Sequence, residues 1–152
     1  MTLTESVGEA IADRPISVTV YRRIDPPIAR ASTEAIGRII DLVNRGLIQE
    51  FDDVIVPSRR YTPEHVALQQ TVADELDIAA DRLGVTLEPA KQTINRYNQY
   101  TETDEQIDVL PAVTVVVKDA GDDSILAVAP VRMGDTYLRV EDLLDTLIDI
   151  SA

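Results

Sequence analysis

The stretch "ISVTVYRRIDPPIARASTEAIGRIIDLVNRG", Ile16–Gly46, decides the fold. Its first eight residues alternate: Ile16, Val18 and Val20 against Ser17, Thr19 and Tyr21. Alternation of this kind marks a strand with one apolar face. Pro26 and Pro27 exclude helix across the following turn. Ser32 or Thr33 is then placed to cap a helix. Ile36, Ile39, Ile40, Val43 and Leu47 recur at helical spacing, and Gly46 stands where a left-handed cap residue is common. A second apolar run, Val54-Ile55-Val56 in "DDVIVPSRRY", suits a strand buried on both faces. Strand, helix and strand at this spacing form a βαβ unit with parallel strands.

The rest of the chain extends that unit. Residues 2–13 read as an amphipathic helix, with Thr2 and Glu5 as a capping box, Leu3, Val7 and Ile11 on one side, and Pro15 as the stop. "TPEHVALQQTVADELDIAADRLG" reads as the longest helix, capped by Thr62, opened by Pro63 and closed by Gly84. Its buried side is marked by Val72, Leu76, Ala79 and Leu83. Residues 85–109 form an insertion or ordered excursion: "GVTLEP" suits a short strand, and the polar part that follows suits a ribbon. A segment this long inside a domain is often functional, the plainer reading being a solvated insertion. "AVTVVV" and "ILAVAPV" form a hairpin about Gly121. Val140, Leu143, Leu144, Leu147 and Ile148 then give a last amphipathic helix. With no repeat, low-complexity run or linker, residues 1–152 read as one domain, with 1–14 as its N-terminal helix.

Composition bounds the habitat. The 152 residues carry a net charge of −13, from 27 acidic residues, 17 of them Asp, and 14 cationic ones, of which only Lys91 and Lys118 are lysine. The plainer reading is a chain kept in solution by its charge. Plentiful Asp beside scarce Lys points instead to a salt-rich cytoplasm. At about 1 M salt the Debye length falls to roughly 3 Å and carboxylate repulsion is screened. The chain has no cysteine, which excludes thiol redox chemistry, disulfides and thiolate metal sites within it. No run of about 18 apolar residues exists, so no membrane span is expected. No signal peptide is visible in "MTLTESVGEAIADRP" either, and the expected location is cytoplasmic.

The order of elements, βαβ, then α, then ββα, resembles the thioredoxin-like fold, a three-layer sandwich about a mixed sheet. The resemblance implies a cis-proline at Pro111, in Leu110-Pro111-Ala112. An ordinary trans proline opening a strand is the alternative. It also puts a cysteine pair between Ile28 and Ser32, where this chain has none. A dithiol oxidoreductase is therefore ruled out, and Ser32 reads as a cap rather than a nucleophile.

The segments "SVTVYRR", "GVTLEP" and "VLPAVTVVV…ILAVAPVRMGDTYLRVEDLLDTL" are also similar to a group of small haloarchaeal proteins identified as helix-turn-helix domain proteins. That resemblance is spread over residues 16–148 and rests on structural rather than catalytic motifs. A helix-turn-helix needs two helices joined by a three- to four-residue turn, whereas here each helix is followed by extended sequence. The charge of −13 also opposes phosphate binding. Nucleic acid is accordingly disfavoured as a partner.

Five arginines are the main polar feature. Arg22 and Arg23 follow the first strand, Arg59 and Arg60 follow the second, and Arg30 lies in the adjoining turn. Parallel neighbours would bring them to one sheet edge, the carboxyl end where open α/β sheets bind ligands. Guanidinium groups suit carboxylate or phosphate, so the edge reads as an anion site or as a docking patch for an acidic partner. Pairing with Asp25, Asp52 and Asp53 is the plainer alternative. Tyr97 and Tyr100, beside Arg96, suit stacking on a base or partner, or covering their own core. His65 has no second ligand at a recognisable spacing, and Asp52-Asp53 and Asp122-Asp123 lack the spacing of a calcium loop. No metal or cofactor is expected.

The expected function is therefore a non-catalytic interaction module, regulatory, working as a homo-oligomer or with a protein partner. A DNA-associated transcriptional regulator is one alternative, and a binder or enzyme for an anionic small molecule is another. The habitat has a direct test. The unfolding midpoint should climb steadily as KCl is raised towards molar concentration. A midpoint independent of KCl would remove the salt-adapted reading.

Overall fold

In the computed structural model, residues 2–23, 29–56, 63–89, 92–109, 111 and 113–151 are described. The alternating run becomes strand β1, Ile16–Arg23. Helix α1, Leu3–Ile11, precedes it, and helix α2, Ala29–Asn44, follows it. Strand β2 spans Ile48–Val56 and helix α3 spans Pro63–Leu83. A short strand β3, Glu88–Pro89, leads to a two-stranded ribbon of β4, Gln92–Asn98, and β5, Thr103–Val109. Strands β6, Val113–Asp119, and β7, Ile125–Ala129, form the hairpin. Short strands β8, Val131–Met133, and β9, Thr136–Leu138, lead into helix α4, Val140–Ser151.

The main sheet has the order β2-β1-β6-β7. β1 is parallel to β2 and antiparallel to β6, and β6 is antiparallel to β7, so the sheet is mixed. Successive residues of a strand point to opposite faces. On one face of β1 lie Ile16, Val18 and Val20, each at most 1% exposed. On the other lie Ser17, Thr19 and Tyr21, polar yet only 7–9% exposed. Cross-strand partners keep this division: Val18 faces Val117 and Val20 faces Val115, while Tyr21 faces Thr114 and Ser17 faces Lys118.

Helices cover both faces. On the polar face Glu75 of α3 reaches Tyr21 and Lys118. On the apolar face Val113 shares a cavity lining with Ala35 of α2 and Leu144 of α4. Leu3, Val7 and Ile11 of α1 are buried, and α1 packs on α4 and β7. Each such aliphatic side chain contributes about 1.5–3 kcal/mol when fully buried. The expected capping box is present: Glu5 N donates to Thr2 Oγ1 and Thr2 N donates to Glu5 Oε2, both at 3.1 Å. Gly46 has φ +82° just after α2, a conformation that side chains rarely adopt.

Three expectations are corrected, and a fourth lies outside the described residues. α2 begins at Ala29, so Ser32 and Thr33 sit inside its first turns and do not cap it. The prolines block helix only at and just before their own positions, and the alanines beyond them propagate it. β2 is longer than the run Val54–Val56 and is an outer strand of its sheet, with Ile55 53% exposed, rather than one buried on both faces. "ILAVAPV" is not one strand: it breaks at Pro130, which cannot donate to a ladder, and β8 leaves to pair with β3 and β9. Finally, the cis peptide bond that the structure describes is Ala129–Pro130. The bond expected to be cis, Leu110–Pro111, involves Leu110, which lies outside the described residues.

Candidate functional site: the carboxyl edge of the sheet

β1 and β2 run in parallel, so their carboxyl ends share an edge: Arg22 lies beside Ile55 and Arg23 beside Val56. α2 begins at the same edge, with Arg30 in its first turn. Arg59 and Arg60, which follow β2, lie outside the described residues. β7 is antiparallel to β6 and therefore ends at this edge too, followed by Pro130. The described backbone places Arg22 and Arg23 at the end of β1 and Arg30 in the first turn of α2.

Arg22 is already engaged. Its Nε donates to Asp53 Oδ1 and its Nη2 to Asp53 Oδ2, both at 2.7 Å. This fork-on-fork pair is the strong geometry for guanidinium and carboxylate. The Asp53 carboxylate accordingly pushes Arg22 further up from its already high pKa. For Arg22 the internal pairing with a neighbouring aspartate holds. Asp53 lies on β2, within the strand that "DDVIV" implied, and was among the expected partners.

The other face carries a buried polar cluster that the sequence did not disclose. Tyr21 Oη donates to Glu75 Oε1 at 3.2 Å, and Lys118 Nζ stands 3.7 Å from the same oxygen. Burial drives Tyr21 up to about 12, helped by the negative Glu75, the hydrogen bond to it, and Asp52. Burial also raises Glu75, opposed by Lys118 and Tyr21. Glu75 Oε2 and Thr114 Oγ1 are buried without a partner among the described residues. Each such orphan costs about 1–3 kcal/mol. The cluster therefore subtracts from a packing of α3 that rests on buried Val72, Leu76 and Ala79. Sequence spacing put Leu76 and Ala79 on the buried side of α3; Glu75, adjacent to Leu76, looked like one more surface acid.

Tyr97 and Tyr100 belong to the ribbon, where Tyr97 of β4 lies opposite Asp104 of β5. They are 61% and 92% exposed, so they do not cover a core. The ribbon is a separate two-stranded sheet and extends no other. His65 lies in the first turn of α3. Among the described residues no three His, Asp or Glu side chains are grouped to hold a metal. No described helix is long and apolar enough to cross a membrane.

The buried cluster yields a titration. One of the five tyrosines should ionise near 12, in phenolate absorbance, while the backbone signal stays native. A raised folded value means that Tyr21 supports the fold below its ordinary value near 10 and that this support is lost as pH rises through about 12. Tyr21→Phe should delete that step, and Glu75→Gln should lower it. Five tyrosines titrating together near 10 would refute the cluster.

No curated protein and no solved structure matches the chain. A model of a helix-turn-helix domain matches residues 10–151, nearly its whole length. This finding overturns the expected function, an interaction module that leaves DNA alone, and with it the disfavouring of nucleic acid as partner. It points to DNA-binding regulation, which had stood as an alternative. The argument from charge had weighed the whole molecule, whereas a nucleic-acid contact needs only one suitable edge. On this match over residues 10–151, the chain belongs to the helix-turn-helix domain family.

Proposed function

We propose that the protein is a DNA-associated transcriptional regulator. The observation that carries the reading is membership of the helix-turn-helix domain family across residues 10–151. The described helices do not form the motif's usual tandem, because strands separate α1, α2 and α3, and α4 follows β9. The DNA contact is therefore assigned to an edge rather than to a helix pair.

Charge selects that edge. α1, α3 and α4 are acidic, with Glu5 and Glu9, with Glu64 to Asp81, and with Glu141 to Asp149. α2 is balanced, Arg30 and Arg38 against Glu34 and Asp41, and it starts beside Arg23. The first turn of a helix favours phosphate through its free amides and dipole. Arg23 and Arg30, with Arg59 and Arg60 from the segment after β2, supply the cations in this reading. Arg22 positions the edge through Asp53 instead of touching DNA. Tyr97 and Tyr100 offer stacking surfaces on a two-stranded ribbon, an element other proteins place in a DNA groove.

The same reading keeps three finer features. The strand order and directions support a thioredoxin-like layout, with the cysteine positions replaced. The Asp-rich, Lys-poor composition supports a salt-adapted, haloarchaeal cytoplasm. Molar salt weakens phosphate contacts, so a regulator there draws more on base and apolar contacts. The role is binding rather than catalysis, and a homodimer would present two such edges to one operator.

The test is fluorescence anisotropy with a pool of labelled genomic duplex fragments over a KCl series. Binding should occur, with log affinity falling linearly against log salt. Arg23→Ala with Arg30→Ala should flatten that slope by about 2, at roughly 0.9 per phosphate contact. Arg22→Ala should leave it near the wild-type value. Absence of duplex binding at every KCl concentration would overturn the function. An unchanged slope in the double variant would overturn the edge.

A further inference from the structure

A cavity of about 350 Å³ lies on the apolar face of the sheet, at the same carboxyl edge. That volume falls at the lower end of small-molecule sites, about 300–1,000 Å³. Val113 at the start of β6 and Pro130 after β7 bound it from the sheet side, with Pro111 beside them. Ala35 of α2 and Val140 and Leu144 of α4 close its apolar walls. Ala35 matters by its size, since a larger residue there would occupy the space.

The rim is charged in both senses. Arg38 and Arg139 line the cavity, and so do Glu34 and Glu141. Tyr137, half exposed, brings a phenol to the same opening. Arg38 Nη2 donates to Asp145 Oδ1 at 2.5 Å and is well held. Arg139 is held loosely: its side chain meets Asp142 at 3.3 Å and Glu141 at 3.4 Å, and it is 59% exposed. Charge-assisted bonds of good geometry run at about 2.7–2.9 Å, so the Arg139 contacts are exchangeable.

We propose that this cavity binds a zwitterionic small molecule with an apolar body, the simplest member of the class being an α-amino acid with an apolar side chain. The ligand's carboxylate replaces the loose partners of Arg139. Its ammonium sits by Glu141, which Arg139 then releases. Its side chain enters the walls formed by Ala35, Val113 and Leu144. A purely anionic ligand fits less well, because Glu34, Glu141, Asp142 and Asp145 surround the two guanidiniums. A purely cationic one leaves the displaced Arg139 without compensation. Charge of both signs over an apolar floor matches a ligand with both. The site requires no DNA, so its failure would leave the regulator reading untouched.

The experiment is isothermal titration calorimetry of the full chain in molar KCl without DNA. The probes are L-leucine and L-phenylalanine, with 4-methylpentanoate and 3-methylbutylamine as the half-charged analogues of leucine. At least one amino acid should bind, and each leucine half-analogue should bind about tenfold more weakly than leucine or not at all, a loss on the scale of one charge-assisted contact. Arg139→Ala and Glu141→Gln, both exposed, should each weaken binding by a similar factor. Ala35→Leu should abolish it by filling the cavity, with circular dichroism confirming the fold. Failure of both amino acids to bind at millimolar concentration would overturn the proposal. Equal binding of a half-analogue, or unchanged binding in Arg139→Ala, would overturn it as well.

Discussion

Strand β1 has hydrogen-bonded neighbours on both sides, β2 in parallel and β6 in antiparallel, and everything else is arranged around it. The parallel side requires a crossover, which α2 supplies. The antiparallel side passes the sheet on to the β6–β7 hairpin. Alternation along β1 then sorts the helices. Its valine face, continued by Val115 and Val117, is covered by α2 and α4. Its polar face is covered by α3 through Tyr21, Glu75 and Lys118. Both helix layers rest on apolar burial, and the α3 side adds the Tyr21–Glu75–Lys118 cluster to buried Val72, Leu76 and Ala79.

The same pairing sets the functional edge. β1, β2 and β7 all end there, α2 begins there, and α4 begins close by. Arg22 is consumed in holding β1 to β2 through Asp53. That ion pair bridges neighbouring strands near their carboxyl ends. Membership of the helix-turn-helix family and a sheet-centred architecture are reconciled by placing recognition at this edge. In a chain of net charge −13, the proposed edge is where β1 ends in Arg22 and Arg23 and where the balanced helix α2 begins.

Much of this order was legible in the sequence. Val and Thr alternation in β1 and the turn about Gly121 each carry a local signal that packing reinforces, whereas the stripe from Ile36 to Leu47 found buried Ile39 but included Ile40, which is 46% exposed, and missed buried Leu42. The first residues of β2, Ile48 to Phe51, were hidden because Gln49 and Glu50 interrupt the apolar pattern ahead of "DDVIV". An outer strand bonds on one side only, so carboxylates are tolerated there. The break at Pro130 was hidden because the apolar pattern runs on through it into Val131. Glu75 was hidden because its partners, Tyr21 and Lys118, come from two other strands. Pairing of Arg22 with Asp53 stood among the alternatives the sequence offered, and the register of β1 on β2 selects it over Asp52. The cavity beneath Arg139 was not legible, because its walls come from α2, β6 and α4 at once.

Ultraviolet cross-linking of a bound duplex, with the joined peptides identified by mass spectrometry, tests the central claim most directly. The account predicts cross-links concentrated in the peptides that carry Arg22 to Ser32 and Pro57 to Tyr61. Cross-links confined to α3 and α4, with the carboxyl edge bare, would contradict it.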